Sequence, residues 1–339
     1  MRVFEPVVDA VVESDGTWRF GSYRGRIRDL TLPTKGRSAF ARLVQRKHWH
    51  YFGFASPDAF VSVAVVKAGY FSTAFVHAFR SGPSKVARHA VAVASTGAAV
   101  MEGHTGPGSR VTFAGGGGRV SFVREPGSAE TTIAATFGDL RLEGVAVETD
   151  VLPPVTAVAR VGDARDDRVD VTEKHAALRG RFTFSEGTTT LVSADDARVG
   201  RDMTVGYLPR RTRWTWCLAM GTTDRGDAFG MNLVQGFVGE GECALWVGDE
   251  LVALEEGMFD ADAEDAGADV PFRIRSRDGA VDLAFAPFGS HREARNLAVL
   301  RSDFLQRAGT VSGAFTLPSG RMVEVREGTA IVERQDTTW

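Results

Sequence analysis

Several things are scarce in this chain of 339 residues, and each scarcity narrows what it can do. No run of about 18 apolar residues occurs, so no segment is expected to cross a bilayer as a helix, and no integral membrane association is expected. There are two cysteines, Cys217 and Cys243, in segments that read as strands. They leave room for one disulfide, and the expectation is a pair of reduced, packed thiols in a cytoplasmic protein. The opening residues Met1-Arg2-Val3-Phe4-Glu5-Pro6 lack the apolar core of a signal peptide. A net charge of −3 and scattered arginines supply no polycation, so nucleic acid is not an expected partner.

The common catalytic signatures are missing too. The glycine run Gly115–Gly118 is not followed by the Lys-Ser/Thr of a phosphate loop, and no Gly-x-Gly-x-x-Gly opens a helix. There is no Gly-x-Ser-x-Gly elbow and no His-Glu-x-x-His. Nucleotide use, serine hydrolysis of the common type and zincin chemistry are therefore unsupported, and no cofactor is expected. His48 and His50 have a spacing that can hold a metal, but they are flanked by Phe52 and Phe54 with no acidic partner nearby in sequence. A half-exposed strand face is the better reading, and no metal site is expected.

What the chain does have is a tryptophan-rich strand that occurs twice. Arg46-Lys47-His48-Trp49-His50-Tyr51-Phe52 leads into an alternating run ending at Gly69-Tyr70. Arg211-Thr212-Arg213-Trp214-Thr215-Trp216-Cys217 leads into a similar run ending at Gly236-Phe237. Trp214 lies 165 residues after Trp49, close to half the chain, which points to a duplicated domain rather than a short-period solenoid. Frequent Gly, Val and Phe with turn signals at short intervals predict an all-β protein. A short helix is expected over residues 37–46 with Ser38 as its N-cap. Hairpin turns are expected at Asp278-Gly279 and Ser319-Gly320. Residues 149–172, with Pro153-Pro154, Gly162 and Asp166-Asp167, read as the link between domains 1–170 and 171–339. The acidic stretch Glu255 to Asp269 reads as a solvated loop and a candidate surface contact.

Several of these segments together carry a resemblance. Lys47-His48-Trp49-His50-Tyr51, Ala68-Gly69-Tyr70, Trp214-Thr215-Trp216, Gly230-Met231-Asn232-Leu233 and Ala244-Leu245-Trp246-Val247-Gly248-Asp249 occur in order. Pro271-Phe272-Arg273-Ile274 and Val281-Asp282-Leu283-Ala284-Phe285-Ala286-Pro287 follow them. The set resembles an uncharacterised bacterial domain family over most of the chain. More distantly, the paired Trp strands and the doubling resemble the duplicated lipocalin-like proteins, which include carotenoid hydratases, tocopherol cyclases and fungal cyclisation enzymes. That resemblance implies two tandem lipocalin-like (calycin) antiparallel β-barrels, with an apolar ligand cavity in one barrel or between them. It transfers no catalytic residue.

The residues themselves give candidates for binding a hydrophobic, lipid- or isoprenoid-like molecule. Trp49, Tyr51, Trp214 and Trp216 alternate along their strands, so each pair is expected to face the inside of its barrel. There they either line a cavity or plug a solid core. Tyr70, Asn232 and Gln235 are further ligand-binding candidates, the two amides because they sit inside an apolar strand. His77, among Phe71, Thr73, Phe75 and Phe79, is a candidate proton donor or a satisfied core histidine. Asp58 and Asp227, with Asp224, are hairpin acids that turn chemistry alone explains, yet a buried acid is what a hydratase or cyclase needs. Three readings stay open: an enzyme of acid-assisted hydration, isomerisation or cyclisation, a carrier without an acid in its cavity, and a solid scaffold acting through its surface. Whether the chain is an enzyme, and its oligomeric state, are not legible.

Overall fold

The computed structural model describes residues 2–34, 36–149, 151–162, 168–260, 269–297 and 300–339. Alternating aromatic and β-branched residues between tight turns give strands nearly everywhere, as period-two patterning requires. At Asp278-Gly279 the glycine takes a φ of 72°, the conformation the hairpin needs. Ala39–Gln45 is an α-helix, and the Ser38 side chain accepts from the Ala41 amide at 3.0 Å, as the capping pattern predicts. No helix among the described residues is long and apolar enough to cross a membrane.

The strands form two curled sheets. The first runs Val86–Ser95, Phe71–Arg80, Ala59–Lys67, Arg46–Ser56, Thr189–Tyr207, Val169–Glu186, Leu140–Val147, Glu130–Phe137, Gly118–Val123, Arg110–Gly115 and Ala99–Met101. The second runs Glu250–Ala253, Ala244–Val247, Ala228–Gly236, Arg211–Thr223, Met322–Thr338, Leu300–Thr316, Val281–Leu297, Phe272–Ser276 and Gly257–Phe259. Along these paths all neighbours are antiparallel. In each sheet the first long strand pairs with the last, which rolls a simple meander into a barrel. Each barrel has its seam at the same place, after the fourth strand of the meander. The fold is thus all-β with two tandem antiparallel barrels, as expected.

The sheet changes between Tyr207 and Arg211 rather than near residue 170. Val169–Glu186 and Thr189–Tyr207 close the first barrel by pairing with Leu140–Val147 and Arg46–Ser56. The Pro- and Gly-rich segment before them is an excursion of that barrel: Val155–Arg160 pairs with Val169–Glu186 on one side and Gly21–Arg24 on the other. Residues 150 and 163–167 of the expected link lie outside the described residues. So does 261–268 of the acidic stretch, whose remainder includes the short strand Gly257–Phe259 rather than loop alone.

Phe52, Phe54, Val63, Val76, Phe122 and Phe182 fill the first barrel. In the second, Cys217, Leu233, Met231 and Leu245 are brought to one face by register and are fully buried. The barrels meet through the opposite face of each Trp strand. Contact is close enough to need glycine: a Cβ on Gly200 would stand 2.5 Å from Leu218 Cδ2, and one on Gly230 would stand 1.9 Å from the Ala176 carbonyl oxygen. Thr329 Oγ1 donates to the Ser56 carbonyl at 2.7 Å across the same junction.

Candidate functional site

Along Arg46–Ser56, Trp49 and Tyr51 alternate with His50, Phe52 and Phe54. Phe52 and Phe54 point into the first barrel, so Trp49 and Tyr51 point out of it, toward the second. Trp214 and Trp216 alternate with Cys217 and Ala219 and point out of the second barrel toward the first. This corrects the expectation that the rings face the inside of each barrel. A strand of one barrel packed on another is buried on both faces, so the apolar pattern does not say which face is interior.

Between the two outer faces lies a cavity of about 200 Å³, many times the space one water needs. Trp49 and Trp214 stack across it with ring centroids 6.0 Å apart, and Tyr51 meets Trp216 edge-on at 5.3 Å. Phe237 closes this wall at 5.3 Å from Trp214 and 6.1 Å from Trp49. Phe237 holds a φ of 55°, the left-handed region that a bulky residue rarely occupies and that concentrates at functional positions. Phe75 and Phe304 form the far wall.

The polar groups of the cavity come from strands far apart in sequence. Lys174 Nζ lies 2.6 Å from Asp202 Oδ1 and 2.8 Å from Glu242 Oε2, with all three residues buried. Burial alone would lower the Lys174 pKa, but its two carboxylate partners outweigh that and hold the ammonium charged. Trp49 Nε1 donates to Asp202 Oδ2 at 3.0 Å. Among the described residues no cation is ion-paired with Glu333. Trp214 Nε1 donates to its Oε1 at 3.1 Å and Gln306 Nε2 to its Oε2 at 3.1 Å. Burial pushes the Glu333 carboxyl up to about 7, against the pull of those two hydrogen bonds, with the Asp202 charge adding a smaller push. His77 Nδ1 sits 2.8 Å from Gln306 Oε1, while its Nε2 is buried without a hydrogen-bond partner among the described residues. Burial pushes His77 down to about 3, so the imidazole is neutral. The Tyr51 hydroxyl is buried on the same wall with the Ser62 side chain within reach. The arrangement offers an aromatic slot, a carboxyl that changes protonation near neutral pH, and a neutral imidazole beside it.

Comparison with known proteins adds the family and the fold. A family model described as a domain of unknown function (DUF2804) matches residues 5–339. The chain belongs to that family. No curated protein matches it. Among solved structures, CghA with Sch210972 superposes with a TM-score of 0.53 at 13% identity, covering 97% of this chain and 97% of that one. A second CghA structure gives 0.51 at 13% identity, over 86% and 88%. Kievitone hydratase from Nectria haematococca gives 0.49 at 10% identity, over 86% and 89%. At such identities the CghA likeness establishes a shared fold.

In this DUF2804 chain four sequence candidates, Trp49, Tyr51, Trp214 and Trp216, come together at the cavity, and His77 joins them. Tyr70 does not: it is partly exposed and packs on Phe71 and above the Lys47 ammonium. Asn232 lies behind the wall, accepting from Trp216 Nε1 at 2.7 Å and donating to the Glu242 carbonyl, so its polarity serves packing. Gln235 is exposed, because period-two alternation turns it away from the junction near its strand's end. Asp58 is exposed in its hairpin, hydrogen-bonded by Ser56, and Asp227 takes part in a turn with Thr223. His48 and His50 lie inside the first barrel with Nε2 atoms 3.1 Å apart, and no metal-holding cluster of three or more such ligands occurs among the described residues. Sequence reasoning missed Lys174, Asp202, Glu242, Gln306 and Glu333. The signal available was a charged residue in register with apolar strand neighbours, as in Ala330-Ile331-Val332-Glu333.

Proposed function

We propose that the cavity between the barrels binds a largely apolar small molecule and that Glu333 protonates it. The observation that carries this reading is Glu333 itself: a buried carboxyl, fixed by Trp214 and Gln306, with a pKa near 7 on an aromatic cavity wall. A general acid works best when its pKa lies near the working pH, and burial is the usual means of raising a carboxylic acid to that point. The rings of Trp49 and Trp214 on the same cavity wall suit positive charge developing on the protonated ligand. Acid-assisted hydration, isomerisation or cyclisation all begin with this step. That CghA has been solved with Sch210972 accords with a fold that takes small molecules, while the case for this chain rests on its own residues. A carrier needs the same cavity without an acid in it, so Glu333 weighs against that reading.

The test is proton transfer itself. The protein is purified from its host, its co-purifying apolar molecules are extracted, and these are returned to wild-type and Glu333→Gln protein in deuterated water. Deuterium enters carbon positions of the ligand with the wild type and not with the variant. Failure of any apolar molecule to co-purify or bind removes the reading, and equal incorporation by both proteins removes Glu333 from it.

A further inference from the structure

We infer that Gln306 is a positioning residue that holds His77 as its Nδ1–H tautomer, leaving Nε2 as a bare proton acceptor beside the proton donor Glu333, so that the two serve one substrate as base and acid. The inference starts from a chain of two hydrogen bonds. The Gln306 side chain is fully buried and has one amide oxygen and one amide nitrogen to place. Its nitrogen faces Glu333 Oε2 at 3.1 Å and its oxygen faces His77 Nδ1 at 2.8 Å. The reverse placement would set two acceptors against each other once Glu333 has given up its proton, and before that it would turn the acidic O–H onto Gln306 and away from a ligand, so only the placement shown serves both states of a proton donor. With the oxygen toward His77, Nδ1 must carry the hydrogen, because an amide oxygen only accepts. In a neutral imidazole that leaves Nε2 as a lone pair.

That lone pair is the second observation. Nε2 of His77 is buried and has no hydrogen-bond partner among the described residues, and the ring belongs to the cavity wall. Its neighbours do not supply one. His291 lies with its ring centroid 4.8 Å away and its own Nε2 unpartnered, His89 lies 6.5 Å away, and Phe75, Phe79 and Phe304 offer only ring faces and edges. A buried acceptor left unmatched costs stability and marks a place where a ligand atom can supply what is missing. Glu333 at the other end of the relay accepts from Trp214 and from the Gln306 amide nitrogen, so it makes no direct contact with His77. One amide thus separates a donor from an acceptor and keeps them from neutralising one another.

Such a pair fits a double-bond shift in an unsaturated, largely apolar molecule, which deepens the proposed function and rests on it. The Glu333 O–H bond breaks as its proton forms a C–H bond at one alkene carbon. A C–H bond next to the resulting cation then breaks, its electrons forming the new double bond and its proton passing to His77 Nε2. The enzyme is left as carboxylate and imidazolium, with the imidazolium Nδ1–H still held by Gln306. Transfer of that proton from His77 Nε2 back to the Glu333 carboxylate, by way of water in the cavity, resets both groups. No oxidant, reductant or second substrate is consumed.

The test reads the tautomer directly. Protein labelled with 15N-histidine is examined by NMR from about pH 5.5 to about pH 8.5, and His77→Gln identifies the His77 signals among those of seven histidines. The wild type shows neutral His77 as the Nδ1–H form throughout. Gln306→Leu, which keeps the bulk and removes both hydrogen bonds, shifts the population toward Nε2–H. An Nε2–H tautomer in the wild type overturns the inference without need of any variant, and so does an unchanged tautomer in folded Gln306→Leu. Uptake of the hydrophobic dye anilinonaphthalene sulfonate by the same samples reads the cavity separately. The expected tautomer without dye uptake keeps the Gln306 assignment and removes the ligand cavity. Dye uptake with the wrong tautomer does the reverse.

Discussion

Trp49 and Trp214 stack across the barrel junction with an interplanar angle of 22°, and each donates its indole N–H to a carboxylate on the last strand of its own barrel. The relationship is the same in both halves. Asp202 stands opposite Tyr51 in the pairing of Arg46–Ser56 with Thr189–Tyr207, and Glu333 stands opposite Trp216 in the pairing of Arg211–Thr223 with Met322–Thr338. One device, an aromatic pair with an acid across from it, therefore occurs twice and faces itself. The copies differ in what surrounds the acid. Asp202 has the Lys174 ammonium at 2.6 Å, whereas Glu333 has the neutral amide of Gln306. That difference turns a symmetric junction into a site with one ion-paired carboxylate and one carboxyl poised to give up a proton.

Removing the stacked pair is expected to cost binding more than folding. Trp49 and Trp214 are only partly buried, so Trp49→Ala and Trp214→Ala lower stability by less than the about 3–5 kcal/mol typical of a fully buried ring. Trp246, fully buried with its indole donating to the Pro153 carbonyl at 2.9 Å, is the internal reference, and Trp246→Ala falls in that larger range. Urea unfolding and titration with a hydrophobic dye separate the effects. Equal destabilisation by all three variants with unaltered dye binding contradicts the cavity assignment.

The two cysteines are expected to be silent until the protein opens. Both are free and buried, and burial pushes the Cys243 thiol up to about 12 and the Cys217 thiol higher still. Almost no thiolate exists at pH 8 in either, and the thiolate is the reactive form. Ellman's reagent should label no thiol in the native protein and two after unfolding in urea. Rapid native labelling of either contradicts the packing of the second barrel.

The fold was legible because its evidence is local. Alternation along Arg46–Ser56 and Arg211–Thr223, turn residues at Asp278-Gly279 and the near-half-length spacing of Trp49 and Trp214 each act over a few residues or one long repeat. The orientation of the rings was not, since Trp49 and Tyr51 on one face and Phe52 and Phe54 on the other are equally apolar and both faces are buried. The acids were hidden for a different reason. Lys174, Asp202, Glu242 and Glu333 meet only when three separate strands and a turn converge, and nothing local to any one of them says that the others lie beside it. The hairpin acids Asp58 and Asp227 looked more distinctive because they sit beside turn residues, which is also why they need no function.

Lys174 is expected to be the most sensitive charged residue of the junction. It neutralises two buried carboxylates, and removing one partner of a buried ion pair typically costs about 3–5 kcal/mol because the other charge is stranded. In Lys174→Met, Glu242, whose pKa burial already raises and which then lacks the lysine that pulls it down, escapes that cost only by taking up a proton. The loss of stability is therefore larger at pH 8 than at pH 5, which chemical denaturation at the two pH values measures. A loss independent of pH means the lysine acts through packing against Trp216, whose ring lies 5.7 Å from its Nζ.

Glu333 gives the opposite dependence, and its sign follows from linkage. Its pKa rises from an ordinary 4.5 to about 7 on folding, so the native state binds the proton more tightly than the unfolded chain. Its contribution to stability is then fully present below about pH 4.5 and is lost as pH rises through about 7, an amount of about 3 kcal/mol for a shift of this size. Glu333→Gln carries no such titration and keeps an amide able to accept from Trp214. The difference in unfolding free energy, variant minus wild type, should therefore climb between pH 5 and pH 8 and level off above. Comparing the two proteins at each pH cancels the titrations of groups remote from Glu333. A flat difference across that range means that Glu333 is already ionised in the native protein at pH 5. It would then have no proton to give near neutrality, and the aromatic slot would lose its acid.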